Sequence, residues 1–307
     1  MGLLFGPGFE SPHLHDSMEP LVDLPGKNLM GKMKIQFTKM TGAGNDFIVI
    51  DDRENKLKSL SRLAPKLCDR RWGIGADGLI LLRNHPRAYY EMKYYNADGS
   101  YGGMCGNGGR CIAYYAILHK IAPPKHDFVS VNHIYKAESL GNNKISLLMK
   151  DPTRIKLKQK LMIPELNLNI TYNFIDTGAP HVVIDINEFP RFTFENIELE
   201  KIGRLIRFHK EFKPEGTNVN IIERKGSRIH IRTYERGVEA ETLACGTGSI
   251  AAGIVAHLLW EISSPAILIP KSKKTLQVSF TSNNKGKISR VRLIGPAEVV
   301  FTGSIEI

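Results

Sequence analysis

The sequence predicts an α+β protein made of two homologous halves. Three observations predict it. Short strand-like runs outnumber helices throughout the chain. A Thr-Gly-Ala turn between two strands occurs twice, at Thr41-Gly42-Ala43 and Thr177-Gly178-Ala179. A Cys-Gly-x-Gly loop that opens an apolar helix also occurs twice, at Cys105–Gly108 and Cys245–Gly248, at nearly equal intervals after the turns. Two matched signatures in the same order imply an internal duplication. Halves related in this way face each other across a cleft.

The elements follow in order. Residues 1–32 are rich in Gly, Pro, His and acids without a sustained period, and read as a disordered or non-native extension. Alternation begins at Met33-Lys34-Ile35-Gln36-Phe37 and marks a strand. Strand signals follow at Phe47–Asp51, Leu79–Leu82, Glu91–Tyr95, His181–Ile186, Val219–Glu223, Ile229–Tyr234, Ala266–Ile269, Leu276–Phe280 and Val291–Ile294. Amphipathic periodicity predicts helices over Ser59–Arg71 and Ile197–Phe208, and apolar helices over Gly108–His119 and Gly248–Trp260. Many strands with few helices favour α+β over an alternating parallel sheet.

Composition narrows the function. A hydrophobic share of 42% and a charged share of 24% are ordinary for a globular protein. No apolar run approaches the roughly 20 residues that a membrane span requires. The net charge of +11 suits either a nucleic-acid binder or an enzyme that attracts an acidic small molecule. No nucleic-acid motif accompanies it, and Lys and Arg cluster only briefly at Arg154–Lys160 and Lys271–Lys274. Four cysteines, no C-x-x-C and no visible secretory signal predict reduced thiols in the cytoplasm and no zinc site.

The two loop cysteines carry the chemistry. A thiol just ahead of a helix meets unpaired N–H groups and the positive end of the macrodipole, which favour the thiolate and pull its pKa toward neutrality. The same N–H groups hold a carboxylate. Doubling the loop places one thiolate and one thiol on opposite sides of a bound amino acid. One removes the α-proton and the other returns a proton to the opposite face. Cys68 and Cys111 lack the glycine-rich context and read as packed small hydrophobes.

Several further motifs belong with these loops. They are Gly42-Ala43-Gly44-Asn45-Asp46-Phe47, Tyr95-Asn96-Ala97-Asp98-Gly99-Ser100, Gly216-Thr217-Asn218, Tyr234-Glu235-Arg236-Gly237 and Glu241-Thr242. With Cys105–Cys111 and Ala244–Gly248 they resemble diaminopimelate epimerase from about Met33 to the C-terminus. The resemblance implies conversion of LL-2,6-diaminopimelate to the meso isomer, for lysine and peptidoglycan precursors, without pyridoxal phosphate, other cofactor or metal. It implies two pseudo-symmetric domains, each a β-barrel-like sheet wrapped around a central helix. These are residues 33–150, joined by a returning strand at about 295–307, and residues 151–294. It implies Cys105 and Cys245 as the catalytic thiols, and His181 and Glu235 as the groups that tune them. It implies substrate contacts from Asn45, Asn96, Asn218, Glu235 and Arg236, with Gly106-Asn107 and Gly246-Thr247 as the carboxylate-binding helix starts. It leaves room for a homodimer, and for no membrane or nucleic-acid partner. Many members carry Gln where this chain has Gly78 and Asn where it has Ala179.

Other readings remain. The runner-up is a proline racemase-like or phenazine-biosynthesis-type isomerase of the same superfamily, although a proline site has no distal carboxylate for Arg236. A thiol redox protein would use the same cysteines, but neither has a nearby resolving partner. Taken singly, the three asparagines read as turn residues, Glu235 and Arg236 as an exposed pair, and His181 as a structural histidine.

Overall fold

The computed structural model describes residues 33–283 and 286–307. The expectation for residues 1–32 falls outside them. The first half contains β1 (Lys34–Gly42), β2 (Asn45–Asp51), α1 (Leu60–Cys68), β3 (Gly78–His85) and β4 (Ala88–Asn96). It continues with α2 (Gly106–Leu118), β5 (Lys125–Ser130), β6 (His133–Ser139) and β7 (Lys144–Leu148). Then come β8 (Thr153–Ile163), β9 (Leu168–Asp176), β10 (Pro180–Asp185), α3 (Leu199–Arg207), β11 (Asn218–Lys225), β12 (Arg228–Glu235) and β13 (Ala240–Thr242). The chain ends with α4 (Gly246–Trp260), β14 (Ala266–Pro270), β15 (Leu276–Ser282), β16 (Ile288–Pro296) and β17 (Glu298–Glu306).

Pairing repeats in the two halves. β1–β2 is antiparallel, β2–β3 parallel, β3–β4 antiparallel and β4–β5 parallel. β9–β10, β10–β11, β11–β12 and β12–β14 follow the same sequence of senses. In each half a helix makes the crossover between the last parallel pair, α2 in the first and α4 in the second. β7 pairs with β16 and joins the halves. β17 returns to pair with β1, with Lys34 opposite Glu306.

The crossover helices are enclosed by their sheets. Cys111, Ile112, Ala113 and Ala116 of α2 are fully buried, as are Ile250, Ala251, Ala252, Ile254, Val255 and Ala256 of α4. A helix apolar on every side is stable only when surrounded. Its small Ala and Gly residues let strands approach on all faces. The helix periodicity therefore vanishes where the helix matters most.

The expected helix bounds need correction. α2 and α4 begin two residues earlier than the periodicity predicts, at Gly106 and Gly246, so each cysteine is the N-cap itself. α1 stops at Cys68 rather than Arg71, because Asp69 Oδ1 accepts the N–H groups of Arg71 and Trp72, both at 2.7 Å. α3 is trimmed to Leu199–Arg207.

An ion cluster ties β1, β2 and the β3 approach together. Lys39 Nζ lies 2.8 Å from Asp46, and Arg70 bridges Asp46 and Asp77 at 2.8 and 2.7 Å. Burial alone would raise the Asp46 carboxyl, but the hydrogen bonds from Arg70 and Lys39 outweigh it and hold it at about 2. A depressed folded-state value gives stability that is present above the ordinary carboxylate range and is lost as pH falls through about 2. Asp46→Asn should therefore lower the melting temperature at neutral pH and flatten its fall between pH 4 and 2. Thermal melts across that range check it, and parallel curves for both proteins would contradict it.

Candidate active site

The two cysteine loops fold alike. Cys105 caps α2 at φ −106°, ψ 120°, and Cys245 caps α4 at φ −107°, ψ 118°. Each Sγ accepts the N–H of the glycine three residues on, Gly108 or Gly248, at 3.4 Å. The helix starts meet. A Cβ on Gly246 would stand 3.6 Å from the Gly106 Cα, and a Cβ on either glycine would come within 2.9 Å of Leu293 Cδ2. Only glycine permits that approach. Each Thr-Gly-Ala turn sits on its own loop: a Cβ on Gly42 would come 2.7 Å from Asn107 O, and Thr177 Oγ1 donates to Thr247 O at 3.1 Å.

Sequence reasoning expects lowered thiol pKa values, and the structure reverses that. Burial pushes Cys105 up to about 11, with the Gly108 N–H pulling down and the Glu235 carboxylate pushing up. Burial and Glu235 push Cys245 higher still, against the Thr247 hydroxyl and the Gly248 N–H. The N–H groups act in the expected sense, but loss of water around the sulfur is the larger effect. Burial therefore favours the protonated form of both thiols. Burial also pushes up Cys68, to about 12, and Cys111, in keeping with packed thiols.

His181 is fully buried, and burial lowers its pKa to about 3, so the ring is neutral. Asn220 Nδ2 lies 3.1 Å from His181 Nδ1 and 2.9 Å from Val182 O, while Asn220 Oδ1 accepts the Thr233 hydroxyl at 3.0 Å. That network puts the ring proton on Nε2, which has no partner among the described residues. Asn220 Oδ1 would stand 2.5 Å from a Cβ on Gly248, so the network lies under the first turn of α4. Glu235 is half-buried, burial raises its pKa, and its Oε2 accepts from Thr242 Oγ1 at 2.9 Å.

The predicted substrate amides are engaged by protein. Asn107 Nδ2 donates to Asn45 Oδ1 at 2.6 Å and to Ala244 O at 2.9 Å, while Arg110 holds its Oδ1. Asn45 Nδ2 donates to Asp77. Asn96 bonds Ser100 Oγ within its own turn. Asn218 clamps Pro180 O to the Arg236 N–H. The exposed Glu235–Arg236 pair considered above is not formed: Glu235 accepts from Thr242, and Arg236 Nη1 donates to Glu215 O at 3.0 Å, while the nearby Glu239 pairs with Arg207. Sequence reasoning missed Asn220, Thr233, Asp77, Tyr94 and Arg110. A buried Asn in the apolar run Asn218–Ile222 was the available signal for the first.

Gly78 has a local explanation. A Cβ there would lie 2.4 Å from Tyr94 Cε2 and 2.7 Å from Tyr95 O, and one on Gly102 would lie 2.3 Å from Tyr94 Cε1. The Tyr94 ring fills the space between the two glycines. Gly78→Gln should cost about 1–3 kcal/mol by overpacking, and Tyr94→Val in the same chain should recover part of it. Denaturant melts of the two single variants and the double variant check this coupling. Strict additivity would contradict it.

Two enclosed crossover helices, each capped by a cysteine and meeting at Gly106 and Gly246, define a duplicated scaffold. Solved structures share it: a Bacillus anthracis phenazine biosynthesis protein of the PhzF family (TM-score 0.68, 15% identity, 90% of this chain and 100% of that one). An Agrobacterium vitis hydroxyproline epimerase with bound trans-4-hydroxy-L-proline also shares it (TM-score 0.67, 12% identity, 89% and 93%). A family model described as diaminopimelate epimerase matches residues 37–152 and 173–300. The diaminopimelate epimerase of Chlorobaculum tepidum is 40% identical over 270 residues, 87% of this chain and 99% of that protein. That of Aquifex aeolicus is 37% identical over 284 residues, 88% and 98%. The chain belongs to the diaminopimelate epimerase family.

Proposed function

We propose that the chain interconverts LL- and meso-2,6-diaminopimelate through Cys105 and Cys245, without pyridoxal phosphate. The observation that carries this reading is the pair of matched cysteine caps on helix starts that meet at Gly106 and Gly246. The reacting carboxylate is bound by the backbone N–H groups of both helix starts. As it develops negative charge, those groups stabilise it more strongly. One sulfur, as thiolate, takes the α-proton. The C–H electron pair moves into the carboxylate as an enediolate, and the opposite thiol donates its proton to the other face of Cα. The thiol and thiolate have then exchanged places and the centre is inverted.

The raised thiol pKa values give substrate binding a further task. The ammonium group of the incoming amino acid supplies the positive charge that offsets a thiolate, and neutral His181 presents an N–H without adding charge. Domains at 33–150 with 295–307 and at 151–294, a cytoplasmic location and a homodimer are parts of the same reading. Among the described residues no helix is long and apolar enough to cross a membrane. Incubation with LL-diaminopimelate in D₂O without added cofactor tests the reaction. The expected result is meso product with one deuterium at the inverted α-carbon; meso product without deuterium, or no turnover, overturns it.

A further inference from the structure

Arg110 is the member of the Cys105–Cys111 loop to which the proposed reaction gives no role. It is fully buried. The second loop carries Ile250 at the matching place. Three uncharged oxygens hold its guanidinium: Nη2 donates to Asn107 Oδ1 at 2.9 Å, Nη1 to Gly106 O at 3.3 Å and Nε to Pro296 O at 3.3 Å. Among the described residues no carboxylate pairs with it, and the ionisable groups that act on it are the thiols of Cys111 and Cys105. Burial pulls its pKa down to about 10, so it keeps its charge at neutral pH.

A buried cation without an anion costs several kcal/mol. Such a charge is stable in function when its partner arrives with a ligand. Two of its three acceptors belong to Gly106 and Asn107, the residues that open α2 and meet Gly246. The guanidinium thus stands directly behind the joined helix starts, and its sign adds to that of both macrodipoles.

We propose that Arg110 is the resident counter-charge of the anion site: it fixes the Gly106-Asn107 turn and balances the negative charge of a bound carboxylate and of the Cys105 thiolate. The inference rests on the reading of the two thiols as acid and base. Arg110 touches neither substrate nor sulfur by a hydrogen bond, so it is a positioning residue. Because Ile250 supplies no charge, the two thiols differ, and Cys105 ionises first.

The test is the pH dependence of Cys105 alkylation by iodoacetamide, read by peptide mass spectrometry on the full chain. Besides Arg110 and Cys111 on its own helix, Cys105 faces Glu235 from β12, Cys245 at the start of α4 and Tyr94 from β4. These stay constant across the variants. Arg110→Lys keeps the charge and should leave the profile near that of the wild type. Arg110→Gln and Arg110→Met remove it and should slow alkylation about tenfold at pH 8, where Arg110 is charged. Cys245 should shift less. Arg110→Met serves where the glutamine variant fails to fold. A residue that only packs would lower the melting temperature in all three variants and move no profile, and that result overturns the proposal. Loss of folding in all three overturns it as well, since packing then accounts for the residue. Alkylation requires no diaminopimelate. A wild-type chain with the expected profiles but no conversion of LL-diaminopimelate would sink the proposed reaction and leave Arg110 standing.

Discussion

Cys105→Ala and Cys245→Ala should each lower epimerisation by at least about a thousandfold while the chain stays folded. A positioned acid or base contributes roughly 10²–10⁴-fold, and here each sulfur acts in both roles, once per direction. The neighbouring groups are poor substitutes: neutral His181 is a donor with a pKa near 3, and Glu235 is engaged by Thr242 and Cys245. The fold should tolerate the change. Each Sγ accepts one N–H at 3.4 Å, and losing a helix cap costs about 0.5–2 kcal/mol. Either variant should still eliminate a leaving group from a halogenated analogue, because elimination needs one base and no acid on the opposite face. Turnover of LL-diaminopimelate and of the analogue, with a far-UV melt, separates the outcomes. Near-normal epimerisation by either variant would remove the two-thiol mechanism.

The duplication was legible because its marks are local. Thr-Gly-Ala turns and glycine-rich helix starts are short, contiguous and chemically unusual. The fold class and the two cysteines follow from them. The sign of the thiol pKa shift did not follow, because it depends on how much water the surrounding sheet removes, and that is a property of packing. The same holds for the asparagines. Their partners, such as Ala244 O for Asn107 and Pro180 O for Asn218, lie far away in sequence. β8 was hidden because Arg154, Lys156, Lys158 and Lys160 make that stretch read as a basic cluster. Arg110 was visible in the motif, but its lack of a carboxylate partner among the described residues is a fact of three dimensions.

Arg236→Lys should reduce kcat/KM for diaminopimelate by one to two decades. The backbone at Arg236 is anchored by Asn218 Oδ1 at 2.9 Å, and one guanidinium nitrogen donates to Glu215 O at 3.0 Å. Arg207 occupies Glu239, and Thr242 engages Glu235, so neighbouring acids do not claim the remaining donors of Arg236. A planar fork held on one side and open on the other matches a carboxylate bidentately. Inversion at one centre of a symmetric diamino diacid requires the other head to be held, and lysine would keep the charge but lose the fork. A charge-assisted hydrogen bond of that kind contributes about 1.5–3 kcal/mol, and each 1.4 kcal/mol is tenfold in rate. If Arg236 merely braced the Glu215 backbone, lysine would reach the same carbonyl and activity would change by less than about threefold, as for an exposed pair. Steady-state kinetics on LL-diaminopimelate decide between them. A companion assay with a shorter amino acid that lacks the distal head tests the origin of the loss: the wild-type chain and Arg236→Lys should process it at equal rates, because the lost contact is one that such a substrate never makes.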